Sequence, residues 1–164
     1  NTLKKDLIKE GAIFQSTSDT EVILHLMSRS KGNLIDRIVY ALRSITGAYS
    51  LIMLSEKSLI GIRDPFGIRP LVIGKLEDTY VLSSESCALD IIGAKLIRDV
   101  EAGEIIEITR NGLKSIKPFK NSNLKPCLFE YIYFSRPDSI LEGRNVYDIR
   151  KKIGEELAKE CKQD

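Results

Sequence analysis

The stretch Arg63-Asp64-Pro65-Phe66-Gly67-Ile68-Arg69-Pro70 constrains this chain most. Strand-like apolar runs flank it: Tyr49-Ser50-Leu51-Ile52-Met53-Leu54 and Leu59-Ile60-Gly61-Ile62 before, Leu71-Val72-Ile73-Gly74 after. Pro65 and Pro70 lack an N–H and fix φ, so neither belongs inside a central strand. Gly67 can take the positive φ that a tight turn calls for. The segment therefore reads as a stiff, charged loop between buried strands, with its arginines paired to Asp64. Loops of this kind also tend to carry function.

Before residue 48 the apolar period is helical. Leu3-Lys4-Lys5-Asp6-Leu7-Ile8-Lys9-Glu10 reads as a helix closed by Gly11. Ser18-Asp19-Thr20-Glu21 has the S-x-x-E form of a capping box, opening a helix with Val22, Ile23, Leu26 and Met27 on one face. A third helix runs from Leu34 towards Gly47. From Ala48 the period becomes that of strands, over 48–54, 58–63, 70–75, 79–84, 95–100, 104–110 and 113–118. Asn111-Gly112 marks a hairpin, Ala102-Gly103 another turn, and Cys87-Ala88-Leu89-Asp90 a short helix ending at Gly93. The polar run 120–126 is the expected domain boundary. Beyond it an aromatic strand is expected over 128–134, then a helix from Val146. In that helix Val146, Ile149, Ile153 and Leu157 form one apolar stripe. Helices followed by antiparallel-type strands predict an α+β layered fold.

At 164 residues the chain fits one domain, or one with a fragment of another. A net charge of +2 predicts neither nucleic-acid nor membrane partners. Three widely spaced cysteines predict a reducing, cytoplasmic setting. The start on Asn1 and the end within a helical pattern predict an internal piece of a longer protein.

Asp19 is the most informative single residue. At 100° per residue it shares an azimuth with Val22, Ile23 and Leu26, and an inward carboxylate calls for a cation or several donors. His25 projects away from the apolar stripe and reads as a solvated helix residue. Glu101 and Glu104 flank a turn and read as solvated, and Ser83-Ser84-Glu85-Ser86 as a strand end with a helix cap. Cys87 and Cys161 fall in helix patterns and read as small buried hydrophobes, whereas Cys127 stands apart at the linker–strand junction. Phosphate-binding glycine loops of the GxxxxGK[ST] or GxGxxG type do not occur.

Taken in order, Ser18-Asp19-Thr20-Glu21-Val22, Gly47-Ala48-Tyr49, Arg63 to Leu71, Ser84-Glu85-Ser86 and Phe129-Glu130-Tyr131-Ile132-Tyr133-Phe134-Ser135-Arg136-Pro137-Asp138-Ser139 resemble the amidophosphoribosyltransferases over essentially the whole chain. Phe66 departs from the asparagine usual there. The resemblance implies αββα N-terminal-nucleophile glutaminase layers, here incomplete, over residues 1–125. Residues 126–164 would be a linker and the start of a phosphoribosyltransferase α/β domain. The implied intact enzyme is a cytoplasmic glycosyltransferase of purine biosynthesis that uses glutamine and phosphoribosyl pyrophosphate. It would be a homo-oligomer, with Mg2+ held in the phosphoribosyltransferase domain outside this chain.

The family's nucleophile is an N-terminal cysteine acting with its own α-amine as base. It has no counterpart in this sequence, so the piece by itself is expected to be inactive and to hold no catalytic residue. Asp19 matches the family's aspartate for the glutamine α-amino group. Cys127 matches a ligand position in those members that carry a [4Fe–4S] cluster, and members without one also have cysteine there. It is a cluster ligand only if the intact chain supplies about three more cysteines. Two alternatives share the scaffold: a hexosamine-phosphate synthase type of glutaminase-domain enzyme, and a non-catalytic glutaminase-like domain.

Overall fold

The computed structural model describes residues 2–120 and 122–161, and divides them into two compact units, 1–47 and 48–164. In the first unit α1 (Thr2–Lys9), α2 (Glu21–Ser28) and α3 (Leu34–Arg43) pack their apolar faces together. Leu7, Val22, Ile23, Leu26, Met27, Ile38, Ala41 and Leu42 are buried. Gly11 ends α1 at φ +88°, and Ala12 N–H returns to the Leu7 carbonyl at 2.9 Å. The expected capping box is not at α2, whose N-cap Thr20 makes no side-chain cap bond. It lies at α3, where the Asn33 side chain accepts from Asp36 N–H and the Asp36 carboxylate accepts from Asn33 N–H.

The second unit holds the strands very nearly where the period-2 pattern predicts them. They are β1 (Ser50–Leu54), β2 (Leu59–Arg63), β3 (Val72–Leu76), β4 (Thr79–Ser83), β5 (Lys95–Asp99), β6 (Ile105–Thr109) and β7 (Gly112–Ile116). All pairings are antiparallel, in one sheet ordered β1-β2-β6-β7 and another ordered β4-β3-β5. Leu71, Ile73, Val100 and Ile106 form a buried cluster with Tyr80, Leu82, Ile108 and Leu113 against it, so the two sheets share one core. A second cluster, Val72, Leu89 and Ala94, seats α4 (Ser86–Ile91) on the β4-β3-β5 sheet. This is the expected α+β architecture.

One element differs in kind. The aromatic run expected as a strand is instead π-helical over Glu130–Phe134. Ser135 N–H donates to the Glu130 carbonyl five residues back, at 3.0 Å. The reason is a tertiary partner. Arg69 lies 4.9 Å from the Phe134 ring centroid, and its Nη1 is 2.9 Å from the Glu130 carboxylate. A helical repeat brings residues four apart to within about 5–6 Å of each other, close enough for one guanidinium to reach both, whereas a strand would set them roughly 13 Å apart. After the turn β8 (Ile140–Leu141) and β9 (Arg144–Asn145), α5 (Val146–Glu160) begins with Asn145 capping Asp148 N–H. Val146 is buried and Ile149 half-buried, while Ile153 and Leu157 remain 42% and 57% exposed.

Candidate functional site

Asp19 stands in the turn before α2, not on the helix, so its azimuth does not follow the helical projection. Its side chain is exposed rather than inward. The turn is nevertheless tightly held. Glu21 accepts from Gln15 N–H at 2.8 Å, Ser16 N–H at 2.9 Å and Ser16 Oγ–H at 2.6 Å. The Ser16 hydroxyl, followed by the Gln15 amide, holds the Glu21 carboxyl down to about 2. Thr20 N–H donates to Ser18 Oγ, and Val22 N–H to the Asp19 carbonyl. Among the described residues the Asp19 carboxylate itself has no ion pair. A solvated anion is thus presented on an ordered turn, an arrangement suited to an incoming ammonium group. His25, expected to be solvated, is half-buried against Phe14, with ring centroids 4.4 Å apart.

The Arg63–Pro70 loop is rigid, but its charges do not pair with each other. Asp64 is fully buried and accepts from the amides of Tyr49 at 3.3 Å, Phe66 at 2.9 Å and Ile68 at 3.1 Å. Arg63, equally buried, donates to the carbonyls of Arg69, Gly67 and Val100 at 2.9, 2.9 and 2.6 Å. Its remaining partner is the Glu142 carboxylate at 2.7 Å. Each charge is therefore met by backbone dipoles of opposite sign, as burial demands. Gly67 takes φ +58°, and a Cβ there would stand 2.9 Å from Leu124 Cδ1. Burial, then the charge of Asp64, pushes Tyr49 up to about 12. The polar linker is strapped to this loop. Asn123, Lys125 and Cys127 N–H groups donate to the carbonyls of Pro65, Phe66 and Ile68 at 3.0, 2.7 and 3.2 Å.

Three carboxylates that sequence reasoning undervalued are each held by specific partners. Glu104, expected to be solvated, is fully buried between Arg98 (2.7 Å from each carboxylate oxygen), Glu101 N–H and Ser115 Oγ–H. Glu85 makes no cap bond to its own helix. It accepts from Arg136 N–H and Ser139 Oγ–H, each at 2.7 Å. Glu130 is buried, accepts from Ser135 Oγ–H at 3.0 Å, and meets Arg69 outside hydrogen-bonding alignment, as an ionic contact. In the sequence only Glu130 gave a signal of this, as a carboxylate between Phe129 and Tyr131; Glu85 lies between serines and Glu104 beside Gly103.

Cys87 is buried as expected, but Cys161 is exposed at the end of α5. Cys127 is half-buried, with its N–H and carbonyl committed to Ile68 and Glu130. Among the described residues, no three His, Cys, Asp or Glu side chains could jointly hold a metal ion. These residues alone do not fit a [4Fe–4S] cluster, which needs about four protein ligands, nor do they offer a Mg2+ site.

The family model for the glutamine amidotransferase domain matches residues 1–90. The chain belongs to the glutamine amidotransferase domain family. Among relatives of this glutamine amidotransferase-domain chain is the amidophosphoribosyltransferase of Rhizobium etli, 53% identical over 99% of the chain and 34% of that protein. The amidophosphoribosyltransferase of Bacillus subtilis is 46% identical over 96% of the chain and 33% of that protein. A solved structure of glutamine phosphoribosylpyrophosphate amidotransferase from B. subtilis, complexed with ADP and GMP, superposes with a TM-score of 0.96 at 45% identity. That superposition covers 99% of this chain and 36% of the other. The chain spans about a third of the length of the curated relatives it matches.

Proposed function

We propose that the intact protein is an amidophosphoribosyltransferase. It takes the amide nitrogen of glutamine and places it on phosphoribosyl pyrophosphate, releasing pyrophosphate and forming phosphoribosylamine at the entry to purine synthesis. The observation that carries this is the continuity of the likeness. It runs at 53% identity over 99% of the chain, through residues 1–90 and on through the segment beyond them. That continuity favours this reading over a hexosamine-phosphate synthase or a non-catalytic glutaminase-like domain.

In this reading residues 1–125 belong to the glutaminase half, and 126–164 lead into the phosphoribosyltransferase half. Asp19 receives the α-amino group of glutamine, because its carboxylate is exposed on a turn already ordered by Glu21. The attacking nucleophile is assigned to the intact protein outside these residues, as is the Mg2+ site. Cys127 is a cluster ligand if further thiolates join it there. Cytoplasmic location and homo-oligomerisation belong to the same proposal. No helix among the described residues is long and apolar enough to cross a membrane.

The test is Asp19→Ala in the intact protein, assayed with glutamine and separately with ammonium salts. Losing a hydrogen bond to a charged group costs about 1.5–3 kcal/mol. The glutamine KM should therefore rise at least about tenfold, with the ammonia-dependent rate close to wild type. Equal losses on both nitrogen sources would make Asp19 a structural residue and remove this assignment.

A further inference from the structure

Residues 127–161 form an arm with an apolar core of its own. Tyr131, Leu141 and Val146 are buried together with Ile149 packed on them, and the Tyr131 hydroxyl donates to the Leu141 carbonyl at 3.0 Å. Arg150 ties α5 to the same core, donating to the carbonyls of Tyr131 at 2.6 Å and Ser135 at 2.7 Å. The members of this cluster all come from the arm, whereas the sheet clusters centre on Leu71, Ile73 and Ile106 and on Val72 and Leu89.

Hydrogen bonds and charge join the arm to the strand layers. Ile140 N–H donates to Ser86 Oγ at 2.7 Å, beside the two bonds that Glu85 accepts from Arg136 and Ser139. Glu142 meets Arg63 through its carboxylate and Asp99 through its N–H, the latter at 3.4 Å. Apart from the Arg69 contacts to Glu130 and Phe134 and the Cys127–Ile68 bond at the start of the arm, these bonds crowd onto 136–142, which ends in a tight turn with Glu142 at φ +49° and Gly143 at φ +71°. The two sides of the Arg63 contact are unequal. Its guanidinium keeps three backbone carbonyls of the loop and of Val100 whether or not Glu142 is present.

We propose that the arm undocks from the strand layers as one body, with Arg63–Glu142, the Arg69 contacts to Glu130 and Phe134, and the Glu85–Ser86 corner as its latches. Separation would leave the arm's apolar core intact and exchange hydrogen bonds for water, the kind of partial opening that native proteins sample. Arg63, fixed by its carbonyls, stays as a preformed socket for reclosure. The exposed Ile153 and Leu157 of α5 travel with the arm, so whatever packs on them moves as the latch opens. The opening is independent of the enzymatic reading; only its consequence for the phosphoribosyltransferase half rests on that reading.

Amide hydrogen exchange on the intact protein tests this without an activity measurement. In the wild type, the amides of Arg136, Ile140 and Glu142, whose acceptors lie across the latch, should exchange as one group, faster than Ile60, Ile62 and Ile106 in β2 and β6. Glu142→Gln keeps the side-chain shape but removes the charge. It should speed exchange of that group at least about tenfold, as expected for loss of a charged hydrogen bond, while β2 and β6 are unchanged. Ser86→Ala should accelerate the same group to a smaller extent, and it decides the matter if Glu142→Gln does not fold. Arm and strands exchanging at one common rate in the wild type would overturn the proposal. So would equal acceleration of both in the variants.

Discussion

Glu104→Gln tests the reading of the sheet charges most sharply. Glu104 is fully buried on β6's leading edge, bonded to both terminal nitrogens of Arg98, to Glu101 N–H and to Ser115 Oγ–H. Glutamine keeps one acceptor oxygen but turns an NH2 group towards donors. Bonds to a charged group are each worth about 1.5–3 kcal/mol. The Arg98 side chain is 36% exposed and can turn to water, so the larger penalty of a stranded buried cation does not apply. A destabilisation of about 2 kcal/mol is expected at neutral pH. Burial acts to raise the Glu104 pKa, but the hydrogen bonds from Arg98 and Ser115 outweigh it, and the carboxyl is lowered overall. A group lowered in the folded state contributes its full stability above its unfolded pKa, about 4.3 for glutamate. That contribution is lost as pH falls through the folded value. Urea unfolding of wild type and Glu104→Gln should therefore show a gap at pH 7 that shrinks below about pH 4. A gap that stays constant down to pH 3, or is absent at pH 7, would refute the assignment.

Three further outcomes are expected. A Cβ on Gly74 would lie 2.7 Å from both methyl carbons of the fully buried Leu89, so Gly74→Ala should cost about 1–3 kcal/mol in thermal or urea melts. Gly154 in α5 has nothing within 4 Å of a built Cβ, so Gly154→Ala should instead stabilise, by about 0.5–1 kcal/mol. Iron and sulfide analysis of a polypeptide of these 164 residues should find no cluster, since one half-buried Cys127 cannot supply the roughly four ligands needed. Bound iron at this length would require ligands that the described residues do not bring together.

Elements whose pattern is local were legible from the residues alone. Alternating apolar residues placed seven strands within a few residues of where they stand, and Gly11, Gly93, Gly103 and Gly112 marked turns that do adopt positive φ. Local rules sufficed there because each side chain's face depends only on its neighbours' periodicity. They failed wherever a partner distant in sequence decided the outcome. The aromatic run 129–134 has strand composition, yet Arg69, some sixty residues earlier, contacts both Glu130 and Phe134, which only a helical spacing brings within reach of one guanidinium. Glu104 looks like a turn carboxylate until Arg98 and Ser115 close over it. Arg63 and Asp64 look like each other's partners, but backbone dipoles of the folded loop serve both. Asp19 was legible as a residue and misread as a direction, because a helical projection does not extend into the turn before the helix. A buried charge costs too much to leave unmatched, and what matches it is fixed by chain segments that meet only after folding.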